Sequence, residues 1–412
     1  MESLRTNAQQ FLPLSEDLLG RQRQYRPVMI SEEGGKMEKN RINRKRKRNA
    51  LILLPSLEKG DGSAGAVMNY YDALVIGGWK VDFLLIRSTE NNRTSEIRKN
   101  GGHIFVLPPR NKYTSSVKKK LVSVIKNGDY SVIHINVPGH IAYLALTEGE
   151  KNGIPVRIFH CHNPKNRLNL KTKISTALYD SLCLKHASQL IACSKSAGLS
   201  RYGSRSFEVV RNLISVRDFR YDENARAVLR RKISAEYAVL VGVVGRITAQ
   251  KNPLFLIECF EAFQKKEPRA KLLWIGEGEL LEKVQALLKA KGLLNACIFA
   301  GRLDDVGQWY SAMDLFLLPS VFEGLGIVFL EAQCSGLLCF GSDAVPPETE
   351  VTELMHRIPL CRDAEFWAAA MVRELRNAAA RRDRGEDLRK AGYTIGTTAD
   401  ELLKLYNTWY MG

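Results

Sequence analysis

Two basic side chains directly follow a short apolar run in the second half of the chain. Arg246 and Lys251 come after Val239–Val244, whose length and composition predict a buried β-strand. They lie five residues apart across a tight loop, and Asn252-Pro253 is typical of a helix start. Both cations can therefore converge on one anion, which predicts a diphosphate site. Two solvated loop charges are the alternative.

A glycine-rich loop follows another predicted strand further along the chain. The strand ends at Pro319, the loop carries Glu323-Gly-Leu-Gly, and a helix begins near Ile327. Exposed amides at a helix start, where glycines remove side-chain obstruction, form a surface for anions and hydroxyl groups. Glu331 lies about one turn into this apolar helix, where an unpaired carboxylate is costly to bury. We expect sugar or ribose hydroxyls as its partner, with a structural salt bridge as the alternative.

Two histidines end a predicted strand in the first half of the chain. The segment Arg157–Pro164 places His160 and His162 at alternate positions of extended chain, so their side chains point the same way. With Asn163 they predict a group that binds hydroxyls or stabilises a transition state. A structural role is the alternative, because histidines at strand ends are often structural.

Another glycine-rich loop, Gly60–Gly65, formally fits the dinucleotide-binding pattern of three glycines. The preceding strand is predicted to end near Leu54, so the tight strand-turn-helix geometry of that pattern is missing. Phe83–Ile86 also close the next strand without a ribose-binding acid. The loop, including Gly62, is expected instead to let a substrate approach the backbone, or to cap the following helix.

Short apolar runs alternate with helical segments from Ala50 onward, and these elements must position the residues above. The alternation predicts an α/β fold of two doubly wound, Rossmann-like parallel-sheet domains, with a site in the cleft facing the carboxyl ends of both sheets. A polar and highly charged stretch over 210–237 predicts a linker near 212–235. The predicted strands are Ala50–Leu54, Val81–Ile86, His103–Leu107, Val132–Ile135, Val156–His160, Gln189–Ala192, Val239–Val244, Lys271–Ile275, Cys297–Ala300, Leu315–Pro319 and Leu338–Gly341. The predicted helices are Ala66–Ile76, Val117–Asn127, His140–Asn152, Leu178–His186, Pro253–Lys265, Glu279–Ala290, Trp309–Met313, Ile327–Ser335 and Ala399–Tyr410.

Four segments follow from this division: a basic tail over 1–48, a first domain over 49–215, a second domain over 216–397 and a C-terminal helix over 398–412. The C-terminal helix is a candidate to pack back on the first domain. The tail ends in Arg41–Arg48, where six of eight residues are basic. This composition favours a disordered, solvated tail near an anionic surface, with a nuclear-localisation or nucleic-acid patch as the alternative. Met37 is a candidate natural start.

The composition bounds the function classes. The chain has 412 residues, 45% of them apolar and 25% charged, an ordinary globular mixture for about two domains. No apolar run approaches the roughly 18–20 residues needed to cross a bilayer. The net charge of +17 favours acidic lipids, nucleic acid or phosphorylated small molecules. Eight cysteines in apolar stretches without Cys-x-x-Cys predict buried free thiols in a reducing compartment.

Several motifs from about Ala50 to the C-terminus together resemble one enzyme family. They are Met68-Asn-Tyr-Tyr71, Val156-Arg-Ile-Phe-His-Cys-His-Asn163, Ile191-Ala-Cys-Ser-Lys195, Gly245-Arg246 with Gln250-Lys-Asn252, and Phe322-Glu-Gly-Leu-Gly326 with Glu331-Ala332. The chain resembles glycosyltransferase family 4, the retaining enzymes of the GT-B fold, and in particular bacterial capsular and exopolysaccharide glycosyltransferases. Two glutamates separated by seven residues, as at Glu323 and Glu331, are the signature of this family.

The resemblance implies roles for the donor-binding residues of the second domain. Arg246 and Lys251 would hold the donor diphosphate and balance the charge on the departing nucleotide. Glu331 would bind the nucleotide ribose. Glu323 and the amides of the loop would hold the sugar ring, and these loop residues are Gly324, Leu325 and Gly326.

For the first domain, the resemblance implies that His162, with His160 as second candidate, reaches the donor sugar when the cleft closes. Gly62, His160 and Asn163 form a candidate substrate loop. The family's Gly-Gly-x-Glu is replaced by Asp61-Gly62-Ser63-Ala64, and Ser215 stands where Asp is common. Members are usually metal-independent and retain configuration by front-face attack, so no cofactor, no metal and no general base are expected.

The predicted function is therefore transfer of a sugar from a nucleotide sugar, a UDP-sugar by analogy, to a saccharide or lipid-linked saccharide in polysaccharide biosynthesis. The expected partners are this donor, this acceptor and an anionic membrane surface, without nucleic acid. Cytoplasmic localisation, with peripheral association at the inner membrane face, is expected. The four lysines of Val117–Asn127 suit contact with anionic lipid, and a solvated helix face is the alternative. The alternatives are a non-enzymatic polyanion-binding protein and a nucleotide-dependent oxidoreductase resting on Gly60–Gly65.

Overall fold

A computed structural model describes residues 47–58, 62–88, 93–109, 114–164, 170–303, 305–395 and 400–411. The prediction for the basic tail over 1–48 therefore lies outside the described residues, apart from Lys47 and Arg48. No helix within the described ranges is both long and apolar enough to span a membrane.

The first domain is built on a sheet of seven parallel strands in the order β3-β2-β1-β4-β5-β6-β7. The central strands are runs of apolar residues because helices cover both of their faces. In β1, Ala50, Ile52 and Leu54 belong to one buried cluster, whereas Leu51 and Leu53 belong to the other. The strands are β1 Asn49–Leu54, β2 Lys80–Leu85, β3 Ile104–Val106, β4 Val132–Ile135, β5 Val156–Cys161, β6 Gln189–Ala192 and β7 Glu208–Val209. The helices are α1 Gly62–Ile76, α2 Arg93–Lys99, α3 Thr114–Asn127, α4 His140–Lys151, α5 Leu170–His186 and α6 Lys195–Tyr202.

The second domain repeats this plan with six parallel strands in the order β10-β9-β8-β11-β12-β13. Its core is one large cluster of buried side chains, among them Trp274 and Trp367. The strands are β8 Val239–Val244, β9 Ala270–Ile275, β10 Cys297–Gly301, β11 Leu315–Leu318, β12 Leu338–Ser342 and β13 Met355–Ile358. The helices are α7 Val216–Phe219, α8 Glu223–Lys232, α9 Pro253–Lys266, α10 Leu281–Ala290, α11 Gly307–Ala312, α12 Ile327–Cys334, α13 Ala364–Asn377 and α14 Gly385–Lys390. Two doubly wound α/β domains, as predicted, are thus confirmed.

The strand order of each sheet reverses at one point. In the first sheet the reversal lies between β1 and β4, and in the second sheet it lies between β8 and β11. The loops that follow two such strands diverge and leave a crevice at their carboxyl ends, where ligands bind in open α/β sheets. The loops after β8 and β11 carry Arg246 and Glu323.

The charged stretch after residue 215 differs from the predicted linker. It contains α7 and α8 and belongs to the second domain. Two arginines of α8 reach the same carboxylate at the start of β11: Arg226 Nη2 lies 2.6 Å from Asp314 Oδ1, and Arg230 Nη1 lies 3.0 Å from Asp314 Oδ2. The charges that suggested a solvated linker are therefore partners in a structural network.

Several predicted boundaries and the predicted environments of two cysteines were wrong. Helix α1 begins at Gly62 instead of Ala66, and α5 begins at Leu170 instead of Leu178. The short edge strands β7 and β13 were not predicted. All eight cysteines are free, but Cys361 is exposed and Cys297 is only half-buried, contrary to the prediction of buried thiols.

The final helix, α15 Asp400–Met411, packs against α1 of the first domain. Leu402 and Tyr406 are buried in the same apolar cluster as the core residues of β1. Trp79 lies edge-on to the Tyr406 ring at 5.2 Å between centroids, and its Nε1 donates to Oδ1 of Asn407 at 3.1 Å. The chain thus returns to the first domain after completing the second.

Candidate active site

The loops after β8 and β11 are joined by hydrogen bonds at the reversal point of the second sheet. Gln250 Nε2 donates to the Phe322 carbonyl at 3.1 Å, and the Val321 amide donates to the Gln250 carbonyl at 2.8 Å. Asn252 adopts left-handed backbone with φ 53°, and Pro253 is the first residue of α9. This turn leads the chain from the β8 loop into α9. The side chain of Lys251, which precedes the turn, faces the β11 loop.

Lys251 and Glu323 form an ion pair between these two loops. Lys251 Nζ lies 2.6 Å from Glu323 Oε1, and Ser320 Oγ donates to the same oxygen at 2.6 Å. The side chains are only 15% and 6% exposed, so solvent screens their attraction weakly. The structure therefore brings together two of the residues that the sequence predicted for the site.

Arg246 differs from Lys251 in its surroundings. Its side chain is exposed and has no hydrogen bond or ion pair to any residue in the described parts of the chain. The two cations therefore do not share one protein partner. Arg246 carries an uncompensated positive charge at the carboxyl end of β8, whereas the charge of Lys251 is already balanced by a carboxylate.

Glu331 lies on α12, one turn beyond its first residue, and receives a hydrogen bond from α11. The Tyr310 hydroxyl donates to Glu331 Oε2 at 2.7 Å. Burial raises the pKa of Glu331 to about 7, and the hydrogen bond from Tyr310 opposes this rise. Glu331 has no salt bridge among the described residues. The alternative of a structural salt bridge is therefore not realised within them. Its second oxygen, Oε1, receives no hydrogen bond from the described residues and remains able to accept one.

The glycine loop before α12 is one of the places where the second domain contacts the first. A Cβ atom at Gly324 would lie 1.8 Å from the His162 carbonyl oxygen, so only glycine fits there. Ser194 Oγ donates to the Gly324 carbonyl at 2.7 Å. Leu325 is buried, and Gly326 has φ 76° immediately before α12, a backbone conformation that favours glycine.

His160 and His162 stack at the carboxyl end of β5, with ring centroids 4.0 Å apart. His162 Nε2 lies 2.8 Å from Asn136 Oδ1, and Asn136 Nδ2 donates to the His134 carbonyl at 3.3 Å. Because the Asn136 amide nitrogen is used in this way, its oxygen must accept, and His162 carries its proton on Nε2. In the neutral ring Nδ1 of His162 is then an acceptor.

Asn163 and Gly62 lie at carboxyl ends of strands in the first sheet. Asn163 is exposed, and its Oδ1 lies 3.1 Å from the position that a Cβ atom of Gly324 would occupy. Gly62 begins α1, eight residues after Leu54 ends β1. This spacing differs from the tight turn of a dinucleotide-binding loop.

The sequence reasoning missed Asn136, Tyr310 and a second glycine loop. A Cβ atom at Gly276 would lie 2.2 Å from the Gly245 carbonyl oxygen, and one at Gly278 would lie 2.3 Å from that of Ile247. The 276–278 loop therefore packs directly against the loop that carries Arg246. The available signal for the glycine loop was the pair of glycines after the predicted strand Lys271–Ile275. The available signal for Asn136 was its position two residues after His134.

Two family models match separate parts of the chain. The model described as Glycosyltransferase Family 4 matches residues 61–215, and the model described as Glycosyl transferases group 1 matches residues 238–377. The first match covers most of the first domain and the second covers most of the sheet of the second domain. Together they account for well over half of the chain.

Two known proteins resemble the chain along nearly its whole length, and a third resembles about a quarter of it. EpsF of Bacillus subtilis, named as a candidate glycosyltransferase, is 28% identical over 89% of this chain and 98% of its own. The Anabaena protein Alr3699/HepE, solved in complex with UDP-glucose, shares the fold with a TM-score of 0.68 at 16% identity, over 88% of this chain and 97% of its own. An Escherichia coli UDP-Gal:α-D-GlcNAc-diphosphoundecaprenol α-1,3-galactosyltransferase is 32% identical over 24% of this chain and 27% of its own.

Proposed function

The chain belongs to glycosyltransferase family 4, and from this premise we propose that it transfers a sugar from a UDP-sugar to a saccharide or lipid-linked saccharide during polysaccharide synthesis. The observation that carries the proposal is the buried Lys251–Glu323 pair at the reversal point of the second sheet. A carboxylate and an ammonium group held beside the glycine loop that precedes α12 suit a ligand that has both hydroxyl groups and phosphates.

On this proposal the two cations of the β8 loop act differently on the donor diphosphate. Arg246 is exposed and uncompensated, so its planar guanidinium can form a bidentate contact with phosphate oxygens. Lys251 is fixed by Glu323, and its remaining donor hydrogens can reach the diphosphate from a defined position. Together they would stabilise the charge that develops on the leaving nucleotide.

Glu331 and Glu323 would recognise the two hydroxyl-bearing parts of the donor. The Tyr310 hydroxyl fixes one oxygen of Glu331, and the other can accept a hydrogen bond from the ribose. One oxygen of Glu323 accepts from both Lys251 and Ser320, which leaves the second oxygen for the sugar ring. The amides of Gly324–Gly326 lie in the same loop.

The first domain would complete the site with His162, which is positioned by Asn136, and with His160 behind it. Asn163 lies next to Gly324 of the second domain, where a sugar held by the glycine loop is within reach of both domains. Gly62 would allow a substrate to approach the backbone at the start of α1. These residues are the candidates for contacts to the transferred sugar and to the acceptor.

We extend the proposal to a retaining reaction that needs no metal. The bond between the anomeric carbon and the phosphate oxygen breaks, the acceptor oxygen bonds to that carbon on the same face, and the acceptor proton passes to the leaving phosphate. Fixed cations suit this route because Arg246 and Lys251 can supply the countercharge. Nuclear magnetic resonance of the product should show the same anomeric configuration as the donor, and EDTA should leave the rate unchanged; an inverted product or a loss of rate would contradict this extension.

The choice of UDP and of the acceptor class rests on the relatives. The Anabaena protein of the same fold binds UDP-glucose. The name of the Escherichia coli relative gives a UDP-sugar donor and an undecaprenol-linked acceptor. Such an acceptor would place the enzyme at a membrane surface. Exposed Lys118, Lys119 and Lys120 on α3 offer positive charge for that surface.

A thermal-shift and hydrolysis screen across nucleotide sugars tests the proposed function. A ligand that binds only the folded state raises the melting temperature by mass action, by about 2.7 kcal/mol of stability at 100 times its dissociation constant. We expect one UDP-sugar to raise the melting temperature and to be slowly hydrolysed to UDP. Equal responses to all nucleotide sugars, or a response only to nicotinamide dinucleotides, would contradict the proposal.

A further inference from the structure

Polar side chains replace apolar ones at the carboxyl ends of β4 and β5 on one face of the first sheet. Val132 of β4 and Ile158 of β5 are buried in the apolar cluster of this face. Two residues further along each strand stand His134 and His160, and their rings are hydrogen-bonded, with His134 Nε2 lying 3.0 Å from His160 Nδ1. The rings are also stacked at 5.1 Å between centroids.

The second nitrogen of His134 is hydrogen-bonded to the last helix. His134 Nδ1 lies 2.8 Å from the Tyr406 hydroxyl of α15. Tyr406 is fully buried and held by Trp79, which packs edge-on against it. A continuous chain of hydrogen bonds therefore runs from Tyr406 through His134 to His160, and we name these three residues the histidine relay.

The relay ends on an unused nitrogen. Nε2 of His160 is buried, and no described residue forms a hydrogen bond with it, although His160 as a whole is 5% exposed. Because Nδ1 faces His134, Nε2 points away from β4. Buried polar atoms of side chains are nearly always hydrogen-bonded, so we expect a ligand to form a hydrogen bond with this nitrogen.

The hydrogen bonds of the relay can be donated in two directions, and the number of unmet donors and acceptors in each direction separates them. If Tyr406 donates to His134, then His134 donates from Nε2 to His160, and only the Nε2–H of His160 lacks an acceptor among the described residues. If the direction is reversed, His160 Nε2 lacks a donor and the buried Tyr406 hydroxyl proton also lacks an acceptor. Each direction leaves one unmet donor, but the reversed direction also leaves an unmet acceptor. An unmet buried polar group costs about 1–3 kcal/mol, so the first direction is favoured.

Both histidines remain neutral, so the direction of the relay fixes a tautomer. Burial, with a smaller effect of neighbouring His162, lowers the pKa of His134 to about 3. Burial also lowers the pKa of His160 well below its ordinary value, with His162 and His134 as lesser causes. Burial raises the pKa of Tyr406, which keeps its proton for donation.

We propose that Tyr406 and His134 are positioning residues that hold His160 in its Nε2–H tautomer, so that this nitrogen donates a hydrogen bond to an oxygen of the bound substrate. The oxygen is a hydroxyl or a phosphate oxygen, because both accept. The statement that this oxygen belongs to a bound substrate rests on the proposed function, whereas the tautomer of His160 follows from the relay alone. His160 stacks on His162, whose carbonyl meets Gly324 of the donor-binding loop, which places the relay beside the cleft.

Tautomers can be measured directly in the full chain labelled with ¹⁵N-histidine. Long-range ¹H–¹⁵N spectra distinguish protonated from unprotonated ring nitrogens, and the His160→Gln variant assigns the His160 signals. We expect Nε2 of His160 to carry the proton in the native chain. In Tyr406→Phe, which removes only the hydroxyl, both tautomers of His160 should appear, and kcat/KM should fall about tenfold, the size of one hydrogen bond. Tyr410→Phe is the matched control, because Tyr410 packs edge-on against the same Trp79 from the same helix; it should keep both the tautomer and kcat/KM.

Three results would overturn the proposal: a His160 proton on Nδ1 in the native chain, an unchanged His160 tautomer in Tyr406→Phe, or His160 signals that do not move when the preferred donor saturates the protein. The tautomer spectra need no substrate. A chain that is inactive with every nucleotide sugar would therefore overturn the proposed function while the native and Tyr406→Phe spectra still decide the relay.

Discussion

The ammonium nitrogen of Lys251 lies 2.6 Å from Oε1 of Glu323, although the two residues are far apart in sequence. The pair is nearly buried and joins the β8 loop to the β11 loop. A residue proposed to hold phosphate is therefore also a structural part of the site. Changes at either residue should affect folding stability and transfer together.

Breaking this ion pair should destabilise the protein and abolish most transfer. Lys251→Met leaves the Glu323 carboxylate with Ser320 as its donor, and loss of a buried partner costs about 3 kcal/mol. We expect kcat/KM to fall about 100-fold or more in Lys251→Met and in Glu323→Gln. Chemical denaturation and steady-state kinetics measure the two effects.

The double variant Lys251→Met/Glu323→Gln tests whether the two side chains act as a unit. Their stability effects should be non-additive by at least about 1 kcal/mol, because residues in direct contact couple. Lys265→Ala, which breaks the exposed pair with Glu261 on α9, is the matched control and should change stability by less than about 0.5 kcal/mol. Additive effects at Lys251 and Glu323 would contradict the pairing.

Arg246→Ala should impair transfer without destabilising the fold. The Arg246 side chain is exposed and has no partner among the described residues, so its loss should change stability by no more than about 0.5 kcal/mol. Removing its contact to the diphosphate should lower kcat/KM about 100-fold. Arg269→Ala, another exposed arginine that precedes β9, should leave both quantities unchanged. Equal kinetics for the two variants would exclude Arg246 from the site.

Nucleotide binding should strengthen as the pH rises toward about 7. Burial raises the pKa of Glu331 to about 7, so the carboxyl group is protonated in part of the physiological range. The ionised form accepts hydrogen bonds from ribose hydroxyls better, so binding should release a proton near pH 6–7. Isothermal titration in two buffers of different ionisation enthalpy measures this proton. Glu331→Gln should show no such release, and a persistent release would assign it to another group.

The same carboxyl group predicts a pH dependence of stability. Its folded pKa of about 7 lies above the ordinary value of 4.5, so between these values the folded state binds more protons than the unfolded state. Its contribution is therefore fully present below pH 4.5 and is lost as the pH rises through about 7. The melting temperature of the native chain relative to that of Glu331→Gln should fall between pH 5 and pH 8, and a constant difference would contradict the raised pKa.

Gly324→Ala should disrupt the contact between the two domains. Its Cβ atom would lie 1.8 Å from the His162 carbonyl oxygen, and backbone on both sides must then move. Misplacing the glycine loop by about 1 Å should lower kcat/KM about 100-fold. Gly65→Ala is the control for stability, because a Cβ atom there meets no described atom within 4 Å and Gly65 lies inside α1. That variant should unfold at the same or a higher temperature.

Reversing the charge of the α3 lysines should weaken binding to anionic vesicles. Val117 and Leu121 face the core, and the lysines between them are exposed. Each lysine near an anionic surface contributes about 1 kcal/mol at low salt, so changing all three to glutamate should reduce flotation with phosphatidylserine vesicles strongly. A triple variant of equal net charge at other exposed lysines is the control, and it changes Lys283, Lys289 and Lys390 to glutamate. Equal loss in both variants would indicate that net charge alone, and not α3, governs binding.

The elements that hold the site could be predicted from sequence because they are buried strands. Val132–Ile135, Gln189–Ala192 and Val239–Val244 match the structure residue for residue. Val239–Val244 is an uninterrupted apolar run, and each of the other two contains only one polar residue, His134 in β4 and Gln189 in β6. The edge strand Met355–Ile358 pairs only with β12 and contains His356 and Arg357, so no comparable signal marks it.

The pairings within the site could not be predicted, because they depend on which strands are neighbours. Lys251 meets Glu323 only because β8 adjoins β11. The hydrogen bond between Tyr310 and Glu331 likewise requires α11 and α12 to lie side by side. Spacing along the chain indicated which residues carry chemistry, whereas the partner of each residue emerged only from the tertiary arrangement.

The return of α15 to the first domain has a consequence for synthesis on the ribosome. Trp79 and the buried face of α1 are covered by a helix that follows the second domain in the chain, so its residues are translated after that domain. When the first domain leaves the ribosomal exit tunnel, its apolar core therefore lacks α15. That core is completed only after the second domain has been synthesised. A stalled or prematurely terminated polypeptide would expose this apolar surface, which makes it a natural target for chaperones and proteases.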